Sequence, residues 1–255
     1  AVVVATSAAV ADTTHHPQMS ASSSDRTSAS GMSGASSAAT PGHSGGTSDM
    51  GGMQGSTVSG QICPNVQGAT VMSNGMVMAP VPAGPPTTQQ QAAANQLVSA
   101  VDQGIEQYSS LATAEAAGYI PATRANGPMT HYLSPQVVRS GDVLDPEHPS
   151  ALMFANTVTG PVLLGAMFLG PAPCQPGPDV GGSLTQWHAH DNLCLQSGMV
   201  VGRTNSTGQC TIGVHNSTTY FMLHVWTAPS IAAHNQFQAD LPPSVYRQID
   251  RTGQA

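Results

Sequence analysis

The chain has 255 residues, of which only 7% are charged, and its formal net charge is −7. Its six cations are all arginines, scattered from Arg26 to Arg251, and it contains no lysine. Because nucleic acids and anionic membrane surfaces attract clustered cations, this composition argues against both as binding partners.

The first eleven residues predict export. They are small and apolar, and Ala9-Val10-Ala11 matches an A-x-A cleavage site directly before Asp12. We interpret residues 1–11 as the remnant of a signal peptide, with a chance run of Ala and Val as the alternative. No other stretch is apolar over the roughly 20 residues that a membrane helix needs, so no membrane span is predicted. The expected location is secreted or in the cell envelope.

Residues 12–59 predict a disordered tail rich in Ser, Gly, Met and His. With almost no branched aliphatic residues, this segment cannot bury enough apolar surface to offset its ordering entropy. Its thioethers and imidazoles suit copper, Cu(I) especially, although an ordinary surface stalk is the alternative. These donors are His15, His16, His43, Met19, Met32, Met50 and Met53.

Residues 60–255 are long enough for a single globular domain with one core. The stretch "ATVMSNGMVMAPV" places two short β-prone runs around Asn74-Gly75, which is a strong hairpin signal. It also carries Met72, Met76 and Met78, which we expect to pack in the core because methionine fills irregular gaps well.

A long helix is predicted next, capped at Thr87 or Thr88 and ended by Gly118. Its apolar positions recur at helical spacing, namely Leu97, Val101, Ile105, Tyr108, Leu111 and Ala112. After Gly118 the pattern becomes β-like, with turns such as Thr159-Gly160-Pro161 and no helix-length segment between strands. The candidate strands are "THYLS", "SALMFANT", "PVLLGAMFLG", "SLTQWHAH" and "TTYFMLHVWTA".

These elements predict an α+β fold. It is mainly an antiparallel β sheet or barrel, with one long N-terminal helix packed on it and the disordered tail before it.

The four cysteines predict two disulfides in an oxidising compartment. Cys63, Cys174, Cys194 and Cys210 form no C-x-x-C pair, and their even number and wide spacing suit disulfides better than a zinc knuckle. Spacing alone does not fix the pairing. We expect Cys194 to bond Cys210, which closes a short loop, and Cys63 to bond Cys174.

The stretch "LTQWHAHDNLCL" carries the densest cluster of reactive side chains. On a strand His188 and His190 point to one face and Trp187 and Ala189 to the other. Their backbone positions are then about 7 Å apart, close enough for both imidazoles to reach one ion.

The same alternation in "TTYFMLHVWTA" places Met222 and His224 together, opposite an apolar face. If the two strands are neighbours, His188, His190 and His224 form a three-histidine site, with Met222 as a fourth, softer ligand. His131 in "THYLS" is a further candidate ligand. Asp191 is a candidate acceptor that fixes which imidazole nitrogen binds the metal.

Two family resemblances bear on this site. Gly182 followed by five residues and His188-x-His190 resembles the first half of the cupin metal motif, G-x5-H-x-H. That resemblance implies a small β-barrel with a metal inside. The glutamate that cupins carry three or four residues later is missing, because Leu193, Cys194 and Leu195 stand there, and the second cupin motif is missing too.

The second resemblance spans roughly Met72 to Ala228. The segments "MVMAPVPAGPPT", "EAAGY", "HYLS", "VLDPEHPSALMF", "GGSLTQWHAHDNLC" and "LHVW" are similar to a group of uncharacterised exported actinobacterial proteins with a WHxHDNLC motif. The resemblance implies secretion and a compact domain after a variable tail. It implies no particular activity.

Three functions stay open on the sequence alone. Three imidazoles suit copper or zinc, and copper is expected because of the Met- and His-rich tail. The first hypothesis is therefore an exported copper-binding protein in metal storage, delivery or tolerance. The second is a metal-dependent enzyme with a cupin-like histidine site, since catalytic metals keep an open coordination position. The third is a non-catalytic secreted interaction domain whose histidines only pack and form hydrogen bonds.

Overall fold

The computed structural model describes residues 63, 66–124, 127–216, 220–231 and 236–252. The predicted signal-peptide remnant at residues 1–11, the predicted tail at residues 12–59 and the start of the predicted domain at residue 60 lie outside the described residues.

Two antiparallel sheets make up most of the described fold. The strands are β1 (Thr70–Val71), β2 (Met76–Met78), β3 (Ile120–Pro121), β4 (Met129–Leu133), β5 (Ala151–Thr157), β6 (Gly160–Pro173), β7 (His188–His190), β8 (Leu193–Gln196), β9 (Met199–Arg203), β10 (Val214–His215) and β11 (Tyr220–Trp226). The larger sheet has the order β1-β2-β7-β11-β6-β5-β4-β3, and the smaller has the order β10-β8-β9. The prediction of an antiparallel sheet is confirmed. The larger sheet is not closed into a barrel, so the barrel alternative, which the cupin resemblance also implies, is wrong.

Four α-helices accompany the sheets in the described part of the chain. They are α1 (Thr88–Ile105), α2 (Leu111–Ala116), α3 (Pro135–Ser140) and α4 (Pro243–Thr252). Thr87 caps α1 as predicted, because its hydroxyl accepts from the backbone N–H of Gln90 at 3.2 Å in a capping box.

The predicted single helix from Thr87 to Gly118 is wrong. The α-helix ends at Ile105, a 3₁₀ turn follows at Glu106–Tyr108, and Ser110 caps the separate helix α2. The hydroxyl of Ser110 accepts from the backbone N–H of Thr113, which offers the chain a new helix start in place of a continued one.

The two faces of the larger sheet carry two separate cores. The first core lies against α1 and contains Val101, Ile105, Leu152, Phe154, Phe168, Trp187, Ala189, Phe221, Leu223 and Val225. The second lies against α4 and contains Met153, Leu164, Met167, Trp226, Ile231, Val245 and Ile249. The alternation predicted for β7 and β11 is confirmed, since Ala189, Leu223 and Val225 face the first core. The histidines of these strands therefore lie on the opposite side, together with the second core.

Both disulfides form as predicted. Cys63 bonds Cys174 with the Cα atoms 5.2 Å apart, and Cys194 bonds Cys210 with the Cα atoms 5.7 Å apart. This is the cysteine usage of proteins that fold in oxidising compartments. None of the described helices is both long and apolar enough to cross a membrane.

Candidate metal centre

Three histidines meet where β7 and β11 are paired. The two strands are neighbours, as the three-histidine hypothesis requires, and Met222 stands directly opposite His188. The ring centre of His188 lies 5.6 Å from that of His190 and 4.7 Å from that of His224. All three residues are buried.

His131 on β4 completes the cluster, although β4 is three positions away from β11 in the sheet. Its ring centre lies 5.5 Å from that of His224, although β5 and β6 separate β4 from β11. In a flat sheet, strands three positions apart are about 14 Å apart. The sheet must therefore curve strongly around this face, and this curvature brings four imidazoles together.

Two backbone carbonyls fix the tautomers of two rings. The Nδ1–H of His188 donates to the carbonyl of Gln186 at 3.1 Å, and the Nδ1–H of His224 donates to the carbonyl of Ala239 at 2.8 Å. A neutral imidazole carries one proton, so Nε2 of each ring is left as a bare lone pair. This is the tautomer in which histidine binds a metal through Nε2.

Each of the four rings has a buried nitrogen without a hydrogen-bond partner among the described residues. These atoms are Nε2 of His131, His188 and His224 and Nδ1 of His190. A buried polar atom left unpaired costs about 1–3 kcal/mol, and native proteins contain few of them. Four such atoms in one cluster indicate that the rings have a further partner.

The prediction that Asp191 orients a ligand is wrong. The acceptors for His188 and His224 are the carbonyls of Gln186 and Ala239, and the carbonyl of Asp191 faces Nε2 of His215 instead. Asp191 comes directly after β7, beyond the strand positions that face the cluster.

Burial keeps all four imidazoles neutral at pH 7. Removal from water lowers the pKa of His131 and of His188 to about 4 and the pKa of His190 to about 3. Burial also lowers the pKa of His224 well below its ordinary value, and the neighbouring imidazoles add to this effect. A neutral imidazole is the form that binds metal, so no proton has to leave before an ion enters.

A methionine stands opposite every histidine of the cluster in the strand register. The pairs are His188 with Met78 and Met222, His190 with Met76, His224 with Met167, and His131 with Met153. Residues directly opposite on antiparallel strands have Cβ atoms about 4.5–5.5 Å apart. Each imidazole of the cluster therefore has a thioether beside it on the neighbouring strand.

The expectation that Met72, Met76 and Met78 pack in the core is confirmed for Met76, which is buried, and wrong for Met72, which is 45% exposed. Val77, the residue between Met76 and Met78, packs in the first core, whereas these two methionines lie on the histidine side of the sheet. Two methionines at positions i and i+2 of a strand share a face, as the two histidines do. The spacing of Met76 and Met78 in the sequence therefore already indicated that they share a face.

A cavity of about 520 Å³ opens onto the cluster. Its lining includes three histidines and three methionines, namely His131, His190, His224, Met129, Met167 and Met222. Arg203, Asp240 and Tyr246 contribute polar groups to the same lining. An isolated bridge between Thr123 and Val200 brings the β3 end of the large sheet against β9, so both sheets wall the cavity.

Three neighbouring ring pairs of the cluster have the separation found in a metal site, but the rings are not arranged as one. Two imidazoles bound to one ion at 2.0–2.1 Å with tetrahedral angles have ring centres about 5 Å apart, close to the observed 4.7–5.6 Å. Among the described residues, however, no three His, Cys, Asp or Glu side chains are placed to hold a metal ion as they stand. Binding therefore requires side chains to move. His131 and His190 can turn about χ2, which is a broad torsion, whereas the same turn in His188 or His224 strains its Nδ1–H hydrogen bond to a backbone carbonyl.

Comparison with known proteins adds no functional assignment. No protein-family model matches the chain, and no curated protein or solved structure is significantly similar to it. The functional argument rests on the residues of this chain.

Proposed function

We propose that this chain is an exported protein that holds one copper ion through His131, His188, His190 and His224. Its role would be storage, delivery or tolerance of copper. The observation that carries the proposal is the set of four adjacent imidazoles, each with a buried nitrogen that has no hydrogen-bond partner among the described residues.

The tautomers support metal binding over simple packing. A histidine that only packs in a core satisfies both ring nitrogens with donors or acceptors. In His188 and His224 the Nδ1–H is satisfied and the Nε2 lone pair is not. A lone pair directed into a desolvated space requires a donor or a metal ion, and a metal ion can satisfy several lone pairs at once.

The ligand chemistry favours copper over zinc. Thioethers suit Cu(I), and those of Met129, Met167 and Met222 line the same cavity as the histidines. The histidine cluster is neutral and contains no carboxylate, so a buried Zn²⁺ would keep two uncompensated charges where Cu(I) keeps one. The lower charge makes Cu(I) the less costly ion to desolvate.

The two disulfides support a location outside the reducing cytoplasm, together with the signal-peptide-like start of the chain. In such a compartment the Met- and His-rich residues 12–59 would capture copper for the folded domain. Deletion of residues 12–59 tests that role. The truncated chain should bind fewer Cu(I) equivalents, and unchanged Cu(I) stoichiometry would remove the role of the tail.

The cavity supports a second candidate function. A metal-dependent enzyme needs space for a substrate beside its ion, and about 520 Å³ reaches His131, His190 and His224. In a storage or delivery protein the same opening would admit and release the ion. Turnover of organic substrates by the copper-loaded protein would favour the enzyme, and its absence with reversible copper transfer would favour delivery.

Retention of metal after equilibrium dialysis tests the proposal. The double variant His188→Gln/His224→Gln removes two ring nitrogens, and we expect it to retain one fewer copper equivalent than the unaltered chain. The control is His148→Gln, because His148 is 59% exposed and pairs only with Asp145 at the surface. Equal copper retention in all three proteins would leave the non-catalytic interaction domain as the remaining function.

A further inference from the structure

We infer that Met72, Met76 and Met78 form a second, surface-accessible Cu(I) site, which loads the histidine cluster. The transfer step rests on the proposed function of that cluster. The binding step does not, because it depends only on the methionines of the β1–β2 hairpin.

The hairpin register brings the three thioethers onto one face. Thr70 pairs with Met78 and Val71 with Val77, and the backbone N–H of Met72 donates to the carbonyl of Met76 at 2.7 Å. Met72 and Met76 are therefore opposite one another, with Cβ atoms about 4.5–5.5 Å apart. Met78 follows Met76 on the same face at about 7 Å along the strand. Long, flexible thioether side chains at these separations can reach one ion.

These three residues line one cavity. It has a volume of about 680 Å³ and is bordered by polar side chains of Ser183, Gln186 and Gln238. Among its described lining residues there is no histidine or cysteine, so methionine sulfur is the only soft donor. Thioethers without thiolate or imidazole select Cu(I) and bind Zn²⁺ poorly.

The methionines are more accessible than the histidine they adjoin. Met72 is 45% exposed, Met76 is buried and Met78 is half-buried, while His188, which stands opposite Met78, is fully buried. An ion that enters along the hairpin therefore meets Met72 before it meets His188, whereas the cavity beside His131, His190 and His224 is a separate opening to the cluster.

The strand pairing supplies the path between the two sites. Met78 is opposite His188, and Met76 is opposite His190. Asp240 lines both this cavity and the one beside the histidines, so the two cavities adjoin at that residue. Transfer is a ligand exchange in which each thioether is released as an imidazole nitrogen binds, and copper stays Cu(I) throughout.

The triple variant Met72→Leu/Met76→Leu/Met78→Leu in the full chain tests the site. Leucine keeps the apolar volume and removes only the sulfur, so the fold should tolerate it. Cu(I) is titrated anaerobically against a colorimetric chelator, and Zn²⁺ retention is measured in parallel as a reading to which thioethers do not contribute. We expect one fewer Cu(I) equivalent than in the unaltered chain, with Zn²⁺ retention unchanged. Equal Cu(I) stoichiometry would overturn the inference.

Two further variants keep the test decisive. Met199→Leu on β9 is the matched control, because Met199 lines neither cavity, and it should change nothing. Met72→Leu alone alters the most exposed of the three and should slow Cu(I) loading of the histidine cluster relative to Met199→Leu. An unchanged loading rate in Met72→Leu would overturn the inference even if the triple variant misfolds.

Failure of the histidine site gives a different pattern. In that case His188→Gln/His224→Gln would leave Zn²⁺ and copper retention unchanged, while the methionine variants would still lose one Cu(I) equivalent. The hairpin site would then stand without the transfer step.

Discussion

The ring centres of His131 and His224 lie 5.5 Å apart, although two strands separate β4 from β11 in the sheet. The contact depends on how far the sheet curves between them. The pairing of β5 with β6 is irregular at one point. Met153 pairs with Gly165, but the next residue, Phe154, pairs with Leu163. This irregularity lies in the strands between the two histidines, at a position that carries no ligand.

Gly165 is the residue whose replacement should disrupt this geometry. Its φ is +155°, and an added Cβ would meet the carbonyl oxygen of Val225 on β11. Gly165→Ala must push β11 away from β6, and we expect a loss of about 1–3 kcal/mol in the free energy of unfolding. Copper retention should fall with it, because His224 lies next to Val225.

Gly202→Ala on β9 is the matched control for that variant. Gly202 borders the histidine cavity, but an added Cβ there meets no atom within 4 Å and the backbone does not need glycine. Urea denaturation and metal dialysis on both variants check the prediction. A Gly165→Ala protein as stable and as copper-retentive as Gly202→Ala would show that the curvature does not depend on this glycine.

The metal-free protein should lose stability as the pH falls from about 6.5 to 4. The pKa values of His131 and His188 are lowered to about 4 and that of His190 to about 3, so in this range the unfolded chain takes up protons that the folded chain does not. The contribution of the neutral, buried imidazoles to the free energy of unfolding is fully present above pH 6.5. A tenfold weaker proton affinity in the folded state corresponds to about 1.4 kcal/mol per ring, so the total loss is on the order of several kcal/mol.

Urea midpoints of chelator-treated protein at pH 7.5 and pH 4.5 check this prediction. Asp240 lines the same cavity, and burial raises the pKa of its carboxyl, so it takes up its proton at a higher pH in the folded chain than in the unfolded one and partly offsets the loss. His190→Gln removes one titrating ring, so its loss of stability should be smaller. Equal midpoints at the two pH values would contradict the burial of neutral imidazoles.

The parts of the site that follow from local alternation could be predicted from the sequence. His188 and His190 share a face because they are two residues apart, and Met222 and His224 share a face for the same reason. The short loop between Cys194 and Cys210 also gave the correct disulfide pairing. Each of these inferences needs only the geometry of one strand or one loop.

The parts that depend on tertiary structure could not be predicted. No local pattern indicates that β4 comes close to β11, because sheet curvature decides it. The acceptors of His188 and His224 are backbone carbonyls, which every residue carries, so no residue type marks Gln186 or Ala239. The apolar residues continue at helical spacing past Ser110, and this pattern hides the serine that caps a new helix. The helix break before Ser110 was missed for that reason.

The two disulfides should contribute unequally to stability. Cys63 and Cys174 are 111 residues apart, and Cys194 and Cys210 are 16 apart. The longer loop loses more conformational entropy in the unfolded chain, which gives about 4–5 kcal/mol against about 3 kcal/mol. Cys63→Ala/Cys174→Ala should therefore unfold at a lower urea concentration than Cys194→Ala/Cys210→Ala. The reverse order would mean that packing around the shorter bridge outweighs loop entropy.

Anomalous X-ray diffraction from crystals of the copper-loaded protein, recorded at the copper absorption edge, tests the central claim most directly. We predict one peak among the four rings, within about 2.0–2.2 Å of Nε2 of His188 and of His224. Copper density confined to other residues, with the four rings unmoved and nothing between them, would contradict it.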